Sequence, residues 1–278
     1  MDTICLDGKT LAQKVKNSIR EEIAANRYQP GLAVVLVGDD PSSNLYVSNK
    51  EKACRSVGIN SLIIRKTSQC TEQELYDTIV RLNCDPSIHG IIVQLPLPQH
   101  INAFEILSAI SPDKDVDCLT PYRFGELFYS GSFIYPCTPS GIIEMLHDYK
   151  IPLAGKRCAV IGRSNIVGKP MAAMLLQENA TVTLCHRFTK ELPLICKESD
   201  IIISATGRRH MVSREMMKNG VILIDAGMVK GDDGKFYGDI DDGTGIASYA
   251  TPVPGGVGPM TVAMLLKNTL SLYKRRCC

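Results

Sequence analysis

Residues 157–176, RCAVIGRSNIVGKPMAAMLL, restrict the fold of this chain more than any other stretch. A short apolar run at 158–161 stops at Gly162, and the polar residues Arg163, Ser164 and Asn165 follow. Gly168, Lys169 and Pro170 then lead into a second apolar run. Strand, glycine turn and helix start in that order belong to an open α/β sheet. Pro170 suits a first helical turn, where a missing N–H costs nothing. Such a turn collects backbone N–H groups and the positive end of a helix at one spot, which suits a phosphate. The spacing departs from G-x-G-x-x-G. The corresponding positions are Gly162, Ser164 and Val167, and the last glycine comes one place late at Gly168. Taken alone, the stretch reads either as a phosphate turn or as an ordinary strand-to-helix turn.

The same alternation recurs along the chain. Residues 9–26 place Leu11, Val15, Ile19 and Ile23 at helical spacing. The run LAVVLV at 32–37 is made of strand formers and ends in Gly38-Asp39-Asp40-Pro41. Ser42 or Ser43 then caps a helix that runs to about Val57 and closes at Gly58. A strand at 61–65 follows, and Thr71-Glu72 opens a helix reaching about Cys84. Another strand, GIIVQL at 90–95, is stopped by Pro96-Leu97-Pro98, and 101–110 is a short helix. This β-α-β-α-β order marks a parallel sheet covered by helices. Residues 111–135 lack a clean period and read as a functional loop and crossover. A helix begins at Thr138-Pro139-Ser140, and strands at 158–161, 181–185, 200–204 and 221–224 alternate with helices in a Rossmann-like unit. A last helix, from Gly258 to about Tyr273, has no strand after it and is expected to pack back on the first domain.

The fold class expected is therefore α/β in two domains. An N-terminal open-sheet domain takes residues 1–137 and 255–278 and is discontinuous. A Rossmann-like domain takes 138–254. With no low-complexity linker between them, they are expected to share a cleft, where ligands commonly bind.

Composition removes several function classes. The 278 residues suffice for two cores. No apolar run reaches the roughly 18 residues of a membrane span, and the N-terminus has no basic segment followed by an apolar one, so no membrane contact and no signal peptide are expected. The net charge of +2, with both signs interleaved, argues against nucleic acid as a partner. The 11 cysteines are scattered without metal-ligand spacing. They read as free thiols in a reducing cytoplasm, and no metal site is expected. The terminal Arg275-Arg276-Cys277-Cys278 does not fit C-a-a-X and reads as a frayed tail.

Four stretches carry candidate chemistry. Tyr46 and Lys50 are four apart and share a helical face, just past the end of the LAVVLV strand, where open α/β sheets build active sites. A tyrosine beside a lysine can move protons, although spacing alone reads first as an exposed helix pair. Gln94 ends the third strand at the same sheet edge. Buried, it needs partners, and a lysine or a ligand amide would serve; alone it reads as structural. Asp113-Lys114-Asp115-Val116-Asp117 alternates carboxylates, one of which could accept paired N–H bonds from a heterocycle, with a solvated turn as the simpler reading. No glycine and distal glutamate complete a calcium loop there. Finally, TPVPGGVGPMT at 251–261 is a rigid, shaped loop that can present backbone to a ligand.

Together YVSNK, VQLPLP, DKDVD, GRSNIVGKP and TPVPGGVGPMT, in this order over essentially the whole chain, resemble the bifunctional methylenetetrahydrofolate dehydrogenase/cyclohydrolase family. The resemblance implies NADP-linked oxidation of 5,10-methylenetetrahydrofolate. It further implies hydrolysis of the 5,10-methenyl product to 10-formyltetrahydrofolate in the same cleft, by a homodimer joined through the cofactor domains. Carried over residue by residue, Lys50 is the catalytic lysine, Tyr46 orients the folate, Gln94 tunes the lysine and Asp117 grips the pterin. Leu95, Pro254, Gly255, Gly256 and Thr261 line the folate site. Gly162, Arg163, Ser164, Val167, Gly168, Arg187, Met228 and Thr138 take the cofactor. An NAD site carries an acid about 20 residues after the turn, at the end of the next strand. Here TVTLC is followed by His186-Arg187, so Arg163 and Arg187 are expected to pair with the 2′-phosphate of NADP. Two departures from the family stand out: Cys118 where glycine is usual, and the basic run Arg208-Arg209-His210 after Gly207. A dehydrogenase-only member, a two-domain dehydrogenase for another small substrate and a non-catalytic NADP-binding regulator remain as alternatives.

Overall fold

The computed structural model describes residues 2–129 and 132–277. In chain order the elements are β1 (Ile4–Cys5), α1 (Gly8–Asn26), β2 (Gly31–Val37), α2 (Pro41–Val57), β3 (Asn60–Lys66), α3 (Glu72–Cys84), β4 (Gly90–Val93), α4 (Ala103–Ser108) and α5 (Pro121–Tyr129). They continue with α6 (Cys137–Asp148), β5 (Arg157–Ile161), α7 (Gly168–Gln177), β6 (Thr181–Cys185), α8 (Leu192–Glu198), β7 (Ile201–Ser204), β8 (Ile222–Asp225), a small hairpin of β9 (Val229–Lys230) and β10 (Phe236–Tyr237), β11 (Tyr249–Ala250) and α9 (Val257–Cys277). They form two compact units, Lys14–Cys137 with Val262–Cys278, and Met1–Gln13 with Thr138–Thr261. This division differs from the expected one at two places: residues before Lys14 and residues 255–261, both expected in the first domain, fall in the second unit. Residues before Lys14 join the second unit because β1 pairs in parallel with β11. Two-residue strands are too short to show alternation, so the sequence gives no sign of either.

In the first unit the sheet runs β3-β2-β4, all parallel. Every residue of β2, GLAVVLV, is buried, as a central strand covered on both faces requires. Ala33, Val35 and Val37 pack with Leu75, Ile79 and Leu82 of α3 and with Ile91 and Val93 of β4. Each such buried Val, Leu or Ile side chain contributes roughly 1.5–3 kcal/mol. α3 starts with a capping box: Thr71 Oγ1 accepts the Glu74 N–H at 3.2 Å, and Glu74 Oε2 accepts the Thr71 N–H at 2.8 Å. α2 is capped differently from expectation. Asp40 accepts the Ser43 N–H at 2.8 Å and Pro41 is the first helical residue, so Ser43 lies inside the helix; the Ser42 side chain is outside the described part. Gly58 closes it with φ 86°.

The stretch 111–135, expected as loop, contains α5. Its buried positions are Arg123 and Leu127, so its inner face begins with a charge and shows no apolar period. Arg123 donates to Glu126 at 2.6 Å and to the Pro112 carbonyl at 2.9 Å, which makes its burial tolerable. The C-terminal helix packs on this unit. Asn268 donates to the carbonyls of Val116 and Tyr135 at 2.9 and 2.8 Å, and the Tyr273 ring meets Tyr28 and His89. α9 runs on to Cys277, and Cys278 of the expected frayed tail lies outside the described residues.

The second unit carries a six-stranded parallel sheet in the order β1-β11-β8-β7-β5-β6. Its first strand in sequence among the consecutive set, β5, lies between β6 and β7. Strand order therefore reverses between β5 and β7, and the C-terminal ends of these two strands flank a topological switch point, where doubly wound sheets bind ligands.

Candidate active site

The first unit has its own switch point between β2 and β4. α2 leaves the C-terminal end of β2, and Gln94 follows the last residue of β4. The Gln94 N–H still bonds the Val35 carbonyl at 2.8 Å, which fixes its backbone at the sheet edge. Lys50 Nζ donates to Gln94 Oε1 at 3.0 Å. Gln94 Nε2 donates to the Leu95 carbonyl at 2.8 Å, which sets the amide so that its oxygen faces the lysine. Tyr46 sits one helical turn before Lys50, is 42% exposed, and burial of its hydroxyl end raises the phenol pKa. The structure thus brings Lys50 and Gln94 into contact and keeps Tyr46 on the same helix. A cavity of about 530 Å³ lined by Gln29, Asn60, His89 and Tyr273 holds none of these residues; it lies at the opposite, N-terminal ends of β2 and β3.

The DKDVD carboxylates separate into different jobs. Asp115 bridges in parallel to Ile91 and is 1% exposed. Its oxygens accept the N–H groups of Leu119 at 3.2 Å and Thr120 at 2.7 Å, while burial raises its pKa. Asp113 faces Arg123 at 4.0 Å and is open to solvent. Asp117 is half-buried, two residues beyond the bridge and so level with the end of β4. Cys137 Sγ reaches Asp117 Oδ1 at 3.3 Å. Burial pushes the Cys137 thiol well above its ordinary range, so it stays protonated and donates. Asn268 Nδ2 lies 3.7 Å from the same sulfur. Cys137 and Asn268 escaped the sequence reading, since neither belongs to a motif and Asn268 is 131 residues from the cysteine it supports. Cys118 adopts φ 56°, the left-handed backbone that glycine takes most easily.

The second unit holds the cofactor candidates and the proline-glycine loop. Gly162 follows β5 with φ 114°, and a Cβ there would collide with the Ala205 carbonyl. A Cβ on Gly168 would collide with the Gly162 carbonyl. Both glycines are thus required by close backbone approach at the switch point. The first N–H groups of α7 are engaged internally. Ser164 Oγ accepts from Val167 at 3.1 Å and from Gly168 at 3.5 Å, and the Ser164 carbonyl accepts from Lys169 at 3.0 Å. Arg163 and Ser164 are exposed at this turn, and the Ser164 hydroxyl proton is not used in these bonds. Arg187 is exposed after β6, its guanidinium 4.6 Å from the Phe188 ring, and Met228 is exposed after β8. Thr138, a cofactor candidate, and Thr261, a folate candidate, share a hydrogen bond of 2.9 Å. Pro254, Gly255 and Gly256 precede α9 in this unit, whereas Lys50, Gln94, Leu95 and Asp117 belong to the first. The Leu95–Pro96 and Val253–Pro254 bonds are cis.

The donor set fits NADP: a tight glycine turn at a switch point, guanidinium groups at Arg163 and Arg187, and His186-Arg187 where an NAD site carries an acid directly after β6.

Comparison with known proteins agrees with this division of labour. Residues 6–117 match the model of the tetrahydrofolate dehydrogenase/cyclohydrolase catalytic domain, and residues 136–277 match that of the NAD(P)-binding domain of the same family. A bifunctional protein FolD of Brevibacillus brevis is 47% identical over 281 residues, with 99% of each chain covered. The crystal structure of the bifunctional enzyme FolD, methylenetetrahydrofolate dehydrogenase/cyclohydrolase, from Campylobacter jejuni superposes with a TM-score of 0.95 at 46% identity over 99% of both chains. That of the Trypanosoma brucei methylenetetrahydrofolate dehydrogenase-cyclohydrolase, solved with NADP cofactor and an inhibitor, gives 0.95 at 38% identity, again over 99% of both.

Proposed function

Since the chain belongs to the tetrahydrofolate dehydrogenase/cyclohydrolase family, we propose that it oxidises 5,10-methylenetetrahydrofolate with NADP and hydrolyses the 5,10-methenyl product to 10-formyltetrahydrofolate. The observation that carries the reading is the Lys50–Gln94 contact of 3.0 Å at the switch point of the first unit. Oxidation needs mainly placement of the folate, and NADP, when bound, supplies the hydride acceptor. Hydrolysis needs more. Water adds to the cationic methenyl carbon and loses a proton, and one C–N bond of the resulting adduct breaks to leave the N10-formyl group. Lys50 is the basic group placed to take and return that proton. Gln94, held by its own bond to the Leu95 carbonyl, keeps the amine pointed along one direction. Asp117 accepts two N–H bonds from the pterin edge, a fit for a carboxylate whose orientation the Cys137 thiol restricts. Tyr46 lays its ring against the substrate.

Supplying methylenetetrahydrofolate and NADP, and following NADPH and 10-formyltetrahydrofolate separately, tests the reading. Both products are expected. NADPH without the formyl product would mark a dehydrogenase-only member, and binding without turnover a regulator. Lys50→Met is expected to abolish hydrolysis while folate still binds; full hydrolysis by that variant would remove Lys50 from the mechanism.

We also propose a homodimer through the second unit. β6 is the edge strand of its sheet, with Leu184 36% exposed, and an unpaired edge invites a second copy. Light scattering of the purified chain decides this. A cytoplasmic location is proposed as well. No helix among the described residues is long and apolar enough to cross a membrane, and the ten described cysteines are free thiols.

A further inference from the structure

Two buried aspartates lie outside the residues discussed so far: Asp225, the last residue of β8, and Asp239, just after β10. Asp239 is 0% exposed. Its Oδ2 accepts Ser204 Oγ at 2.8 Å, the Thr206 N–H at 2.7 Å and Thr206 Oγ1 at 2.9 Å. Its Oδ1 accepts the Arg208 N–H at 2.8 Å. Every one of these donors belongs to residues 204–208, the segment that leaves β7. Asp225, the last residue of β8, accepts the N–H groups of Gly227 at 2.9 Å and Ile240 at 2.8 Å. The two acidic segments interlock: a Cβ on Gly227 would strike the Asp239 carboxylate, and a Cβ on Gly238 would strike that of Asp225.

Two neighbouring anions in a buried place are unfavourable, and the burial of Asp225 together with Asp239 raises the Asp225 pKa to about 6. Packing alone would be served better by apolar side chains or amides. A carboxylate is suited to one task that those are not, which is gathering several N–H and O–H donors on one point. The segment so gathered borders the cofactor turn. The Ala205 N–H bonds the Ile161 carbonyl at 2.8 Å, and the Ala205 carbonyl is the atom that leaves no room for a side chain at Gly162.

We propose that Asp239 is a positioning residue for NADP: by holding residues 204–208 against the Gly162 turn it sets the cofactor affinity without touching the dinucleotide. The proposal rests on the NADP-dependent reading above. It makes Ser204 and Thr206 parts of the same device, and it confines the effect to the cofactor half of the reaction cycle.

Calorimetric titration of the full chain with NADP tests it, alongside the kinetics of methenyltetrahydrofolate hydrolysis, a step that uses no NADP. In Asp239→Asn an amide NH₂ replaces one acceptor and faces donors it cannot satisfy. That variant is expected to weaken NADP by about tenfold or more, with the KM for methenyltetrahydrofolate within about twofold of the unaltered chain. Thr206→Val keeps the carboxylate and removes one donor, and is expected to weaken NADP in the same sense by about threefold. If Asp239→Asn fails to fold by circular dichroism, Thr206→Val decides alone. Unchanged NADP affinity in the folded variants overturns the proposal, as does an equal shift of the NADP and folate constants. An unaltered chain without NADP affinity overturns the cofactor reading, and this proposal with it, before any variant is compared.

Discussion

At Arg163 the shape of the turn and its charge are separable. The helix N–H groups that a phosphate would seek are already taken by Ser164, so an anion there meets a guanidinium. A guanidinium distinguishes NADP from NAD by one phosphate. Arg163→Ala is therefore expected to weaken NADP about tenfold, the loss of a charge-assisted hydrogen bond, and NAD far less. Parallel titrations with the two dinucleotides measure the ratio, and equal weakening would end the selectivity argument. Gly162 and Arg163 were legible as a turn because residue type and spacing place them after a strand, whereas Lys50 and Gln94, which spacing alone reads as an exposed helix pair and a structural amide, were legible as a pair only through the family resemblance. The choice between Asp115 and Asp117 was legible only through the family resemblance. It depends on which carboxylate the backbone of Leu119 and Thr120 consumes, and a sequence does not state that. Asp239 was hidden for a related reason, since its donors lie 31 to 35 residues away.

Elements were legible where they are long and regular. The β-branched runs of β2, β5 and β7 announce themselves, and Thr71 with Glu74 announces α3. α5 was invisible because Arg123 heads its buried face, and β1 and β11 because two residues carry no period. The β5–α7 turn is the element on which a single methyl group should tell most. Gly162→Ala must both hold φ near 114° and push against the Ala205 carbonyl. Strain of that kind costs roughly 1–3 kcal/mol. The variant is expected to unfold at lower temperature and to lose NADP affinity, because the turn moves away from residues 204–208. A scanning calorimetry trace and an NADP titration that match the unaltered chain would show the close approach to be slack.

For the whole molecule, Asp225 predicts an unusual response to acid. Most of the shifted carboxylates favour neutral pH. The pKa of Asp200, for example, is lowered by its hydrogen bond to Lys218, so its contribution is lost as pH falls. Asp225 opposes them. Its folded value of about 6 lies above the ordinary 3.8, so the native state holds the proton more tightly than the unfolded one. Its contribution is full below about pH 4 and is lost as pH rises through 6. The gap corresponds to about 3 kcal/mol. Asp225→Asn has no proton to gain, so subtracting its unfolding free energy from that of the unaltered chain isolates this one group from all the other carboxylates. The difference is expected to grow in favour of the unaltered chain by about 2 kcal/mol on going from roughly pH 7.5 to 4.5 in urea unfolding, with the remainder of the gap gained at lower pH. A difference that stays flat would mean that Asp225 titrates like a solvent-exposed acid. The interlocked pair would then carry no unfavourable charge, and the case for a carboxylate at Asp239 chosen for its donors would lose one of its two supports.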